Sequence, residues 1–335
     1  MPERKKPLPR VTIKNAPPPY DEDKGEYVYF VDGEGRPCAE RIRFRAAETG
    51  FDLVNAWWLC EAATLVYSDP GSVREIFTQR AKLPDFRAFT TGGGTECFVA
   101  SNDDFAIVAF RGSELTPRED DRHNYSNIVK DWLGNADIHA DEFGDGARIH
   151  RGFYAGVTRL MEEGFYQFIA GLPARKVWFT GHSLGGALAT AAAARVLADG
   201  GRLDGLYTYG SPRVGDKVFA DALKRMLEER GLTYYRFVNG NDIVTTVPLR
   251  SLPPDPVNFK HAGTLMHIDR GGNINDDPTR FELLKARVRD VLPIDAEGDF
   301  DRHFLNGIPN AVEDHVPTFY STHIWNAYAD EQDGG

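Results

Sequence analysis

The sequence has few cysteines and no long apolar run. Its 335 residues include three cysteines, Cys38, Cys60 and Cys97. An odd number of cysteines cannot form a complete disulfide framework, and their spacing is not that of a metal site. We therefore expect three small buried side chains. No stretch reaches the roughly 18 apolar residues that a membrane span requires, which excludes a transmembrane segment.

Positive charge is also scarce. Lys and Arg together number 39, against 50 for Asp and Glu, so the net charge is −11. An excess of negative charge repels nucleic acid and anionic lipid, so we expect neither as a partner.

The first twenty residues lack the apolar core of a secretory signal and are rich in proline, lysine and arginine. We expect a flexible tail over residues 1–20. Because no linker or change of composition follows, we expect a single domain over residues 21–335. The missing signal predicts a cytoplasmic location, with secretion as the alternative.

Motifs for phosphate, dinucleotide and metal binding are missing as well. The glycines at 92–94 lack the following lysine and hydroxyl residue of a phosphate loop. The acidic segment 141–146 does not fit a calcium loop, which ends in a bidentate glutamate. The sequence therefore predicts no cofactor and no metal.

Strands and helices alternate through much of the chain. Short apolar runs predict strands at 105–110, 176–180, 205–209 and 234–238, with 262–268 as a candidate fifth strand. Apolar patterns predict helices at 52–67, 160–170, 184–199 and 218–230. This alternation indicates an α/β fold with a mostly parallel central sheet and helices on both faces. In such sheets the active site lies beyond the carboxyl ends of the strands.

The strongest local motif is the segment 181–186, GHSLGG, which matches G-x-S-x-G. It lies between a predicted strand and a predicted helix, the context in which this motif presents a serine nucleophile. Ser183 is therefore the candidate nucleophile, and Gly181 and Gly185 leave room for the tight bend. We expect His182 to be a packing residue of this turn rather than the catalytic base.

A serine nucleophile needs a histidine base and a carboxylate that orients the base. In this fold class the acid follows the serine, and the histidine follows the acid. Asp242 comes shortly after the predicted strand 234–238 and is the candidate acid. Five histidines follow it, at positions 261, 267, 303, 315 and 323. Spacing alone does not choose between His315 and His323.

Six motifs follow one another in a fixed order. They are FRGS at 110–113, DWLGNADI at 131–138, HRGF at 150–153, GHSLGGALA at 181–189, YGSPRVG at 209–215 and NDIV at 241–244. In this order the motifs resemble those of the class 3 lipases of the α/β-hydrolase fold, a family that includes secreted fungal triacylglycerol lipases. The resemblance covers about residues 51–328.

The resemblance implies which residues carry catalysis. Ser183 is the implied nucleophile and Asp242 the implied acid. The family's histidine lies near the C-terminus and usually follows an aspartate. Asp314 precedes His315, so the resemblance favours His315 as the base, with His323 as the alternative.

The resemblance also implies an oxyanion hole formed by Ser113 and Leu184, and a lid over residues 114–131. The lid would end in a small apolar face that covers the acyl pocket, and a solvated surface loop is the alternative interpretation. That face consists of Ile128, Val129, Trp132 and Leu133.

The resemblance thus implies a serine carboxylic ester hydrolase, a lipase that acts on acylglycerols or other lipid esters. Such an enzyme would meet its substrate transiently at a lipid–water interface. The alternatives are a phospholipase A1, or a polyester or feruloyl esterase, on the same fold. A non-catalytic lipid-binding protein is the remaining alternative.

Overall fold

A computed structural model describes residues 20–21, 26–31, 36–112, 139–248, 256–276 and 313–333 of the chain. Nearly all of the predicted tail at 1–20 and the whole predicted lid at 114–131 lie outside these ranges. The flexible tail, the lid and the single-domain organisation therefore stay predictions.

The strands are numbered in chain order. They are β1 (Tyr20–Asp21), β2 (Glu26–Tyr27), β3 (Asp85–Thr90), β4 (Glu96–Ser101), β5 (Phe105–Phe110), β6 (Ala140–Gly144), β7 (Ala147–His150), β8 (Lys176–His182), β9 (Gly205–Tyr209), β10 (Tyr234–Asn239), β11 (Thr264–Ile268) and β12 (Ile274–Asn275).

The helices are numbered in the same way. They are α1 (Leu53–Leu65), α2 (Pro70–Gln79), α3 (Arg151–Glu162), α4 (Phe165–Ala170), α5 (Leu184–Ala198), α6 (Lys217–Glu228) and α7 (Pro317–Asp333). Short 3₁₀ helices lie at Cys38–Glu40, Ile243–Thr246 and Glu313–His315. None of these described helices is long and apolar enough to cross a bilayer.

The central sheet of the described residues has eight strands in the order β12-β11-β10-β9-β8-β5-β4-β3. Strands β5, β8, β9, β10 and β11 run parallel to one another. Strands β3, β4 and β12 pair antiparallel with their neighbours. The carboxyl ends of β8, β9 and β10 therefore lie side by side at one edge. This is the edge at which parallel α/β sheets place their sites.

Side chains on each central strand alternate between two cores, as the twofold period of a strand requires. In β5, Phe105, Ile107 and Ala109 face the core that holds α1 and α7. The intervening residues of β5 face the core that holds α3, α5 and α6. The sheet is thus covered on both faces, which confirms the predicted α/β architecture.

Most observed elements agree with the predicted ones to within about two residues at each end. The predicted helix 160–170 is wrong: two helices, α3 and α4, occupy this region and are separated at Gly164, whose φ of 80° breaks the helix. The predicted strands 105–110 and 205–209 have the observed bounds of β5 and β9. Strand β8 continues two residues beyond the predicted end, to His182, because its ladder with β9 extends that far. The three cysteines are free and buried, as expected.

Helix α1 is an unusually buried helix, with all thirteen of its residues inside the protein. One of these residues is charged, and its carboxylate is fully bonded. Glu61 Oε2 accepts a hydrogen bond from Phe30 N at 2.8 Å, and Oε1 accepts from Tyr27 Oη at 2.7 Å and from Ser321 Oγ at 2.6 Å. Glu61 therefore joins α1 to the N-terminal segment and to α7.

Burial raises the pKa of Glu61, and the hydrogen bonds from Ser321, Tyr27 and Phe30 oppose that rise. A buried carboxyl is tolerated only when such partners replace its hydration. Because Ser321 lies on α7, the contact also fixes the helix that follows His315.

We predict that Glu61→Ala lowers the free energy of unfolding by roughly 2–4 kcal/mol, because it removes three hydrogen bonds and leaves the Phe30 amide unsatisfied. Glu48→Ala is the matched control, since Glu48 is exposed, and should cost no more than about 0.5 kcal/mol. Urea unfolding followed by circular dichroism measures both. Equal costs for the two variants would contradict this role of Glu61.

Candidate active site

The turn between β8 and α5 holds Ser183 in a strained backbone conformation. Its φ is 58° and its ψ is −130°, a combination that residues with a side chain rarely adopt. Such strain is characteristic of functional sites and of the sharp turn in the G-x-S-x-G motif. The turn places Ser183 at the carboxyl edge of the sheet and at the N-terminus of α5.

Two glycines make this turn possible because the backbone passes too close for a side chain. A Cβ atom at Gly181 would collide with the carbonyl group of Gly185. A Cβ atom at Gly185 would collide with the carbonyl group of Phe110, on the neighbouring strand β5. Both predicted roles of these glycines in the bend are confirmed by this packing.

His315 lies between the hydroxyl of Ser183 and the carboxylate of Asp242. Its Nε2 is 2.9 Å from Ser183 Oγ, and its Nδ1 is 2.8 Å from Asp242 Oδ2. His315 and Asp242 are both fully buried. With the proton on Nδ1 held by Asp242, Nε2 is free to accept the proton of the hydroxyl.

The carboxylate of Asp242 is bonded on both oxygens. Oδ1 accepts a hydrogen bond from Val244 N at 2.9 Å, which caps the 3₁₀ helix Ile243–Thr246. Oδ2 accepts a second bond from Tyr320 Oη at 2.5 Å, and Tyr320 Oη accepts from Asn239 N at 3.0 Å. Burial and the neighbouring Asp242 raise the pKa of Tyr320, which keeps its hydroxyl protonated as a donor.

The turn that carries His315 interlocks with the loop that carries Asp242. Asn241 N donates to Asp314 Oδ2 at 2.8 Å, and Asn239 Nδ2 donates to the Asp314 carbonyl at 3.0 Å. Gly240, at φ 48°, lies so close that a Cβ atom there would be 2.6 Å from Asp314 Oδ2. The two loops therefore form one unit.

A further glycine leaves space for this unit at the end of β9. Gly210 has a φ of 57°, and a Cβ atom there would be 2.7 Å from Asp242 Oδ2 and 2.9 Å from the His315 ring. The positive φ and the lack of a side chain are both required at this position.

The structure distinguishes the two candidate histidines. His315 contacts Ser183, whereas His323 lies on α7 with its ring beside Gly272. No hydrogen bond joins His323 to Ser183 or Asp242 among the described residues. Burial lowers the pKa of His323.

Of the two residues predicted to form the oxyanion hole, the structure describes Leu184 but not Ser113. Leu184 is the first residue of α5, where backbone N–H groups have no partner within the helix. Ser113 lies outside the described residues, one position after Gly112. Strand β5, which leads to Gly112, pairs Phe110 with Gly181 of β8.

Three side chains near Ser183, His315 and Asp242 were not predicted from the sequence as contacts of the site. Tyr320 bonds Asp242, Asp314 bonds the acid loop, and Tyr67 bonds His182 at 3.1 Å. Asp314 and Tyr320 could be suspected from their proximity to His315. Tyr67 is 115 residues from His182, and no local pattern links the two.

No group of three or more His, Cys, Asp or Glu side chains in the described ranges is arranged to hold a metal ion.

Comparison with known proteins shows similarity to a lipase family. Residues 107–252 match the family model described as Lipase (class 3). A secreted mono- and diacylglycerol lipase 1 of Fusarium solani is 40% identical over 111 residues, 33% of this chain and 30% of that protein. A secreted mono- and diacylglycerol lipase A of Penicillium cyclopium is 27% identical over 224 residues, 65% of this chain and 61% of that protein.

The matches therefore span under two thirds of the length of both relatives. Their description as secreted disagrees with the cytoplasmic location expected from the sequence, which stays a prediction.

The fold is also that of solved lipases. A solved triacylglycerol lipase, in which a serine protease triad forms the catalytic centre, is 25% identical to this chain with a TM-score of 0.50. The superposition covers 64% of this chain and 79% of the other. The predicted α/β-hydrolase fold is confirmed.

We predict that Gly181→Ala lowers the free energy of unfolding by about 3 kcal/mol or more, because the new methyl group collides with backbone that cannot move without opening the turn. Gly50→Ala is the matched control, since no atom lies within 4 Å of a Cβ atom there. It should change the free energy of unfolding by less than about 0.5 kcal/mol. Chemical unfolding of both variants measures the difference, and a small cost at Gly181 would contradict the packing argument.

Proposed function

We propose that this chain, which belongs to the class 3 lipase family, hydrolyses carboxylic esters of lipids through an acyl-enzyme. The observation that carries the proposal is the hydrogen-bonded arrangement of Ser183, His315 and Asp242. His315 Nε2 is 2.9 Å from Ser183 Oγ, and His315 Nδ1 is 2.8 Å from Asp242 Oδ2. A strained serine, a base on its hydroxyl and a buried acid on the base are together the requirements for acyl transfer. A non-catalytic lipid-binding protein has no use for this combination.

The first step is attack on the ester. His315 Nε2 removes the proton from Ser183 Oγ as the oxygen bonds to the carbonyl carbon of the substrate. Asp242 accepts the Nδ1–H hydrogen bond, so it holds the ring in the required tautomer and stabilises the imidazolium that forms.

The negative charge that develops on the carbonyl oxygen needs donors that are already in place. We assign this role to the backbone N–H of Leu184 and to the N–H and hydroxyl of Ser113. The N-terminus of α5 adds partial positive charge at the same point. Leu184 follows Ser183 directly, and the pairing of Phe110 in β5 with Gly181 in β8 places the end of β5 at the same edge.

The remaining steps return the enzyme to its starting state. The imidazolium of His315 gives its proton to the alcohol oxygen, and the C–O bond of the ester breaks to leave an acyl group on Ser183. Water then attacks this acyl group, with His315 taking its proton. The fatty acid leaves as Ser183 regains the proton. No cofactor takes part in this sequence.

We propose acylglycerols as the substrate class. The relatives support this choice, because they are described as mono- and diacylglycerol lipases and a triacylglycerol lipase. The net charge of −11 favours an uncharged lipid ester over an anionic phospholipid, since like charges repel at a surface.

We predict that Ser183→Ala, His315→Ala and Asp242→Asn each lower kcat on p-nitrophenyl esters by about 10⁴-fold or more, because each removes a member of the triad. His323→Ala is the matched histidine control and should keep kcat within about threefold. Steady-state kinetics measure all four variants. A large loss in His323→Ala with little loss in His315→Ala would move the base to His323.

We predict that the wild-type chain hydrolyses mono-, di- or triacylglycerols faster than phosphatidylglycerol, an anionic phospholipid, at equal surface concentration. Titration of released fatty acid measures the rates, and Ser183→Ala provides the blank. Faster hydrolysis of phosphatidylglycerol would favour a phospholipase A1. Hydrolysis confined to feruloyl or polyester substrates would favour the corresponding esterase.

A further inference from the structure

The base of the proposed triad lies on a short element that cannot fix its own position. His315 ends the three-residue 3₁₀ helix Glu313–His315, and α7 begins only at Pro317. A single turn of this kind is weakly ordered by itself. The position of the imidazole must therefore come from contacts with other elements.

One of these contacts comes from the residue before the nucleophile. The Nε2 atom of His182 lies 2.8 Å from the backbone carbonyl oxygen of His315. Both residues are buried, and their ring centroids are 4.5 Å apart. The ring of His182 thus lies against His315, next to both its ring and its backbone carbonyl.

The contacts of His182 determine which of its nitrogens carries the proton. Burial and the neighbouring His315 lower the pKa of His182 well below its usual value, so the ring is neutral. The carbonyl oxygen of His315 can only accept, so Nε2 carries the proton and Nδ1 is an acceptor. The Tyr67 hydroxyl is 3.1 Å from Nδ1 and 3.3 Å from the His182 carbonyl oxygen. Burial raises the pKa of Tyr67, so this hydroxyl stays protonated and can donate to Nδ1, which favours the same tautomer.

The backbone of His182 is itself held firmly. His182 is the last residue of β8 and pairs with Tyr209 of β9, and Ser183 N donates to Tyr209 O at 3.0 Å. Gly112 leaves the space that the Tyr67 hydroxyl occupies, because a Cβ atom at Gly112 would collide with that hydroxyl. The donor to His315 is therefore anchored in the central sheet.

We propose that His182 is a positioning residue that fixes the distance between the His315 ring and Ser183 Oγ. This inference rests on the proposed function. His182 and Ser183 are consecutive, so one piece of backbone carries both the nucleophile and the group that holds the base. If the turn of His315 moved, the 2.9 Å contact with Ser183 Oγ would lengthen, and a displacement of about 1 Å can cost on the order of 100-fold in rate.

The test compares two substitutions of His182, Gln and Asn, whose side-chain amides differ in length. In His182→Gln the side-chain nitrogen can occupy the place of Nε2 and donate to the His315 carbonyl. In His182→Asn the amide ends at the level of Nδ1, so its oxygen can accept from Tyr67 but its nitrogen does not reach the His315 carbonyl. We expect kcat to fall by about tenfold or more in His182→Asn and by no more than about threefold in His182→Gln, with KM within about twofold of wild type in both.

The measurements are steady-state kinetics on a soluble p-nitrophenyl ester, normalised to the fraction of Ser183 labelled by a fluorophosphonate. This normalisation separates a slower active site from a smaller amount of folded protein. Equal kcat in the Gln and Asn variants, or an effect on KM alone, would overturn the inference.

A second variant keeps the test independent of whether His182→Asn folds. Tyr67→Phe removes the hydroxyl that can donate to His182 Nδ1 and should lower normalised kcat by about threefold. A kcat equal to that of wild type would overturn the role of this hydroxyl in holding His182. A wild-type chain that neither hydrolyses esters nor reacts with the fluorophosphonate would instead refute the proposed function, and the inference with it.

Discussion

The site depends on one backbone constraint, the positive φ of Ser183 between β8 and α5. This conformation is costly for a residue with a side chain. It persists because the β8–β9 ladder fixes the residue before it and a fifteen-residue helix fixes the residue after it. Gly181 and Gly185 allow the strand, the turn and the helix to approach this closely. The hydroxyl is thereby presented at the sheet edge and at a helix N-terminus.

The other two members of the proposed triad reach this hydroxyl because neighbouring parallel strands end at one edge. Asp242 follows β10, and Gly210 after β9 leaves the space in which its carboxylate meets His315. Asp242 and His315 are separated by 73 residues, and His315 and Ser183 by 132. The polar atoms of this buried group are bonded to one another and to Tyr320, which offsets the cost of removing them from water.

Local sequence was a sufficient guide to the five parallel strands of the central sheet, to helices α1, α5 and α6, and to the turn that carries the candidate nucleophile. The apolar run of β5 and the strand–turn–helix around Ser183 depend on residues that are near one another in the chain. Asp242 could be placed because it follows a recognisable strand. Spacing alone left His315 and His323 as alternatives, because both are polar residues of one C-terminal segment and neither follows a strand. Docking of α7 against α1, with Ser321 on Glu61, distinguishes them.

The sequence by itself determined the parallel strands of the sheet, the turn that carries Ser183 and the candidate acid, because short-range sterics and hydrophobic period act within a few residues. The resemblance favoured His315, but only the tertiary structure shows that its ring contacts Ser183, that Tyr320 bonds Asp242 and that Tyr67 bonds His182 beside His315. Contacts such as that between Tyr67 and His182 join residues 115 positions apart. They depend on strand order and helix docking, which no local pattern of residues encodes.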